Sequence, residues 1–77
     1  MNPPQLFATA WPALQQRIQQ YQVAADTLDT YSWEEASNDI RTMLDAWVTH
    51  QADPTLALRW LHSQPFPGLV IPEELLP

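Results

Sequence analysis

A chain of 77 residues with three Arg, no Lys, nine acids and a net charge of −6 lies at the small end of independent domains. It has too few cations to hold nucleic acid by its phosphates or to settle on anionic lipid, since both need clustered positive charge. With no Cys there is no disulfide framework, thiolate metal site or cysteine nucleophile.

Met1-Asn2-Pro3-Pro4-Gln5 lacks the basic region and long apolar stretch of a secretory signal. The longest aliphatic run, Leu69-Val70-Ile71, falls far short of the ~20 residues of a membrane span. A cytoplasmic location is therefore expected.

Pro12 disfavours helical dihedrals at Trp11 and suits a first helical turn, which predicts a helix over about 12–28. Leu14, Ile18, Tyr21, Ala25 and Leu28 recur at steps of four and three, and Phe7 and Trp11 extend the rhythm backward. Together they form a stripe about 80° wide, the narrow seam of a helix–helix contact. Gln15, Gln16, Gln19, Gln20 and Gln22 take the opposite face, with Val23 an apolar exception among them.

Ser32-Trp33-Glu34-Glu35 fits a capping box, with Ser32 as N-cap, Glu35 reaching back, and Tyr31 and Ala36 as the staple. A second helix is predicted over about 33–50, with Trp33, Ala36, Ile40, Met43, Leu44, Trp47 and Val48 on an arc about 140° wide. Asp53-Pro54 then supplies an N-cap and a first helical residue for a third helix over about 54–62. Its apolar residues Leu56, Ala57, Leu58, Trp60 and Leu61 cover roughly 200°, so it is either buried on two sides or offered in part to a partner.

Gln64-Pro65-Phe66-Pro67-Gly68 suits neither helix nor interior strand, because proline fixes φ and removes donors. Leu69-Val70-Ile71 should be extended, since Ile71 precedes Pro72. Pro72 to Leu76 suits one closing helical turn, with Glu73 and Glu74 at its positive end. The expected fold is all-α: a small three-helix bundle over residues 1–64, then a Pro-rich, extended apolar tail over residues 65–77.

Charged residues are only 16% of the chain and it holds four Trp, a composition that collapses rather than stays disordered. A core of this size supplies only about 3–5 kcal/mol, and natural proteins of this length add a disulfide, a metal or a partner chain. His50, Asp53 and His62 are the nearest approach to a metal cluster. The intervening helix holds its ends ~12 Å apart, too far for one ion. The serines read Tyr31-Ser32-Trp33, Ala36-Ser37-Asn38 and His62-Ser63-Gln64. None has the Asp-Ser-Leu motif on which the similarly small and acidic acyl carrier proteins bear phosphopantetheine. Glu34 and Glu35 point about 100° apart on a helix, and one Gly cannot build a phosphate cradle. No catalytic residue, cofactor or metal is expected.

A partner chain is left as the supplement. Asp26, Asp29, Glu34, Glu35 and Asp39 place five of the nine acids close together with no base among them, a patch suited either to solvation or to a basic partner. The apolar candidates for contact are Leu58 and Trp60 on the third helix and Phe66, Leu69, Val70, Ile71, Leu75 and Leu76 on the tail. The expected function is non-enzymatic protein binding, as a small acidic regulatory or accessory subunit or a homodimer. The alternative is an acidic inhibitor that mimics nucleic acid and occupies a basic groove on a larger protein.

Overall fold

The computed structural model describes residues 5–63 and 70–77, with side chains from residue 11 onward. Phe66 and Leu69, the stretch from Gln64 to Gly68, the proposed boundary between residues 64 and 65, and the side chain of Phe7 lie outside the described residues. Among the described residues the chain is all-α: three helices and one 3-10 turn, with no strand.

Helix α1 spans Gln5–Asp26 and contains Pro12, so it starts nearly two turns before the proline that was expected to open it. Pro12 lacks the N–H that would reach the carbonyl of Ala8, a loss of about 3 kcal/mol in an isolated helix. The apolar rhythm wins over this local penalty. Leu14, Ile18 and Tyr21 are buried, and Trp11 packs against them at the rim of the core.

The other end of α1 also departs from expectation. Leu28 does not continue the seam; it adopts φ 57°, in the left-handed region, and is 87% exposed. The N–H of Asp29 donates to the carbonyl of Ala24 at 2.9 Å, and that of Leu28 to Ala25 at 3.4 Å. This pair of bonds is the Schellman ending of a helix, with Leu28 at the position usually held by Gly. Thr27 turns its hydroxyl back onto the carbonyl of Val23 at 2.8 Å.

Helix α2 spans Thr30–Thr49, and its N-cap is Asp29 rather than Ser32. The Asp29 carboxylate accepts from the Ser32 N–H at 3.1 Å and from the Ser32 hydroxyl at 2.8 Å. Asp caps as well as Ser does, and it precedes Ser32 by the three residues that the geometry needs. Glu35 then lies a turn too deep to complete a capping box. Tyr31 falls inside the first turn at 77% exposure, so it does not staple to Ala36. Helix α3, Pro54–His62, begins as expected: Asp53 accepts from the N–H of Leu56 at 3.1 Å, and Pro54 opens the helix.

Arg17 approaches Asp39 while Tyr21, one turn further along α1, meets Trp33, so α1 and α2 run antiparallel. Their facing sides build the core from Leu14, Ile18, Ala36, Ile40 and Leu44. The buried Ser37 is satisfied within α2, donating to the carbonyl of Trp33 at 2.6 Å. Helix α3 joins through Trp47 and Trp60, whose rings lie 5.6 Å apart and tilted by 49°. Ile71 and Leu75 close the core from the C-terminal segment, where Glu73–Leu75 forms the 3-10 turn. The longest dimension, 38 Å, is close to the ~33 Å that a helix the length of α1 spans.

Candidate functional site

The α1–α2 corner draws the functional candidates together. Asp29 ends one helix with its backbone and starts the next with its side chain, so only Thr27, Leu28 and Asp29 separate the two rods. A corner this tight brings the polar face of α1 beside the first turns of α2. The result is an open groove of about 640 Å³, lined by Arg17, Val23, Asp29, Glu35 and Asp39 among others.

Three of the five patch acids, Asp29, Glu35 and Asp39, therefore face one groove, while Asp26 and Glu34 are exposed but do not line it. The groove is less negative than the sequence implies. The Arg17 Nε lies 3.5 Å from an Asp39 carboxylate oxygen, and the same guanidinium donates to Gln20 at 2.9 Å. The Ser32 hydroxyl, followed by the Ser32 backbone N–H, holds the Asp29 carboxyl below its ordinary value. Asp29 and Asp39 are thus engaged in structural bonds, and Glu35 lines the groove without one of these partners.

The corner also borders a hollow of about 170 Å³ lined by Ala24, Ala25, Leu28, Asp29, Thr30 and Trp33. Trp33 is half-buried, with its ring 5.7 Å from that of Tyr21. Nothing in the residue pattern signals an exposed apolar tip here. Leu28 fitted the seam by spacing, and only the left-handed backbone turns it outward.

The apolar candidates divide differently. Ile71 and Leu75 are 0% and 2% exposed and belong to the chain's own core, as does Trp60. Leu58 and Leu76 are half-buried against that core, and Val70 is exposed. The segment is held from the side by the Tyr21 hydroxyl, which donates to the Glu74 carboxylate at 2.8 Å. Burial, and then this bond, raise the Tyr21 pKa, while its own backbone N–H, and then Tyr21, lower that of Glu74. His62 approaches the backbone oxygen of Pro77 at 3.2 Å. Among the described residues no three His, Asp or Glu side chains group closely enough to hold a metal ion, and no helix is long and apolar enough to cross a membrane.

Comparison with protein-family models, curated proteins and solved structures returns no match.

Proposed function

We propose that the chain is a non-enzymatic protein-binding module, a small acidic regulatory or accessory subunit built as a three-helix bundle with a Pro-rich C-terminal tail. The observation that carries this reading is apolar exposure on a small chain: Val23, Leu28, Tyr31, Leu56 and Val70 each leave more than half of their surface in water. Such groups add little to folding, and where they gather they mark contact surfaces. The carboxylates offer further support, because Asp29 caps a helix, Asp39 pairs with Arg17 and Glu74 receives Tyr21. These are structural roles. A partner of different sequence is favoured over a homodimer through the α1 seam, since Leu14, Ile18 and Tyr21 are already covered within the chain.

Recovery of the tagged chain from its native cells, followed by size exclusion with light scattering, tests the reading. A stoichiometric complex with a second protein that is weakened but survives at high salt is expected. A complex that dissociates steeply with salt favours the acidic mimic instead. A chain that elutes alone, with no co-purifying protein, overturns the reading.

A further inference from the structure

Among the described residues Leu28 is the most exposed large apolar side chain, and it occupies the one non-glycine position with positive φ. Gly or Asn would meet that backbone at lower cost. Its side chain adds nothing to the core, so neither packing nor local conformation accounts for a leucine there. Tyr31 stands exposed three residues on, and Ala25 and Trp33 complete the hollow that Leu28 borders. The corner itself carries only acids: Asp26, Asp29, Glu34 and Glu35 are all exposed, and no Lys, Arg or His occurs in the sequence between Ile18 and Ile40. The nearest base in the groove, Arg17, is engaged by Asp39.

Resting on the protein-binding reading, we propose that the α1–α2 corner is the docking surface, and that its partner is a protein with an apolar socket rimmed by Arg or Lys. Leu28 enters the socket, and the surrounding carboxylates meet the basic rim. A second copy of this chain does not fit, because two corners brought together would oppose like charges.

A random peptide library displayed on phage and selected against the immobilised full chain tests the proposal. Selected peptides should combine apolar residues with an excess of Arg and Lys. As synthetic peptides they should bind Leu28→Gly and Leu28→Asn at least about tenfold more weakly, the effect of a hot-spot side chain. Both substitutions suit a positive φ, so melting temperature should not fall, and lost binding then reports lost contact rather than lost fold. Asp26→Asn with Glu34→Gln should weaken binding and flatten its salt dependence. Peptides that bind the Leu28 variants as well as the parent chain overturn the site and leave the protein-binding reading standing. Peptides that need Leu28 but carry no basic excess overturn the partner's chemistry. Failure to select any peptide counts against both.

Discussion

At the scale of single residues, Leu28 and Asp29 set the corner between them. A non-glycine residue in the left-handed region costs roughly 1–2 kcal/mol, part of which glycine's freedom in the unfolded chain cancels. Leu28→Gly should therefore raise stability to urea by up to about 1 kcal/mol, measured as a higher midpoint at unchanged slope. A drop would show that the exposed leucine contributes to the fold after all. Asp29→Ala should lower stability by about 1–2 kcal/mol, because it strips the N-cap of α2. Ser32→Ala should cost less than that, since it removes the hydroxyl but leaves the Ser32 N–H bonded to Asp29. The reverse order would restore Ser32 as the cap.

At the scale of elements, the C-terminal segment acts as a fourth wall rather than an appendage. Ile71 and Leu75 sit among residues of the helices, so Leu75→Ala should cost about 2–5 kcal/mol and Trp47→Ala about 3–5 kcal/mol. Val70→Ala, at an exposed position, should leave the melting temperature nearly unchanged. What the sequence revealed at this scale follows its local signals. Helix α2 was legible because one apolar face persists along its whole length, and α3 because Asp53-Pro54 is a start signal with a mechanism. The start of α1 was misread because Pro12 speaks only for its own dihedrals, whereas the helix is held by a face that packs. The corner was hidden because a leucine in a glycine's place leaves no trace in composition. The Arg17–Asp39 pair joins two helices, and no single-helix spacing contains it. The apolar character of the tail was plain, but which of its residues turn inward depends on the surface they meet.

For the whole molecule, charge and the Tyr21–Glu74 latch set the response to pH. The carboxyls of Asp29 and Glu74 lie below their ordinary values of 3.8 and 4.5 when folded, so in acid the unfolded chain binds more protons. Their contribution is present above those values and is lost as pH falls through the lower folded ones. Glu74→Gln removes one of these two contributions, so thermal melts from neutral pH downward should show less acid destabilisation than in the parent chain. At the alkaline end the raised pKa of Tyr21 makes the phenol harder to ionise in the folded chain. The latch is intact below the ordinary value of 10.0 and should weaken as pH rises through the folded one. Tyr21→Phe should remove that alkaline loss.

The shared cap at Asp29 also bears on the order in which the chain assembles. A corner of three residues closes with little loop entropy, whereas Glu74 lies 53 positions from Tyr21 and must be gathered across a long span of chain. The α1–α2 hairpin is thus suited to serve as the folding nucleus, with the C-terminal segment docking after the barrier. In stopped-flow kinetics, Asp29→Ala should act mainly by slowing refolding, and Leu75→Ala mainly by hastening unfolding. The residue that makes the corner would then govern how fast the molecule forms, and the residue that seals the core how long it lasts.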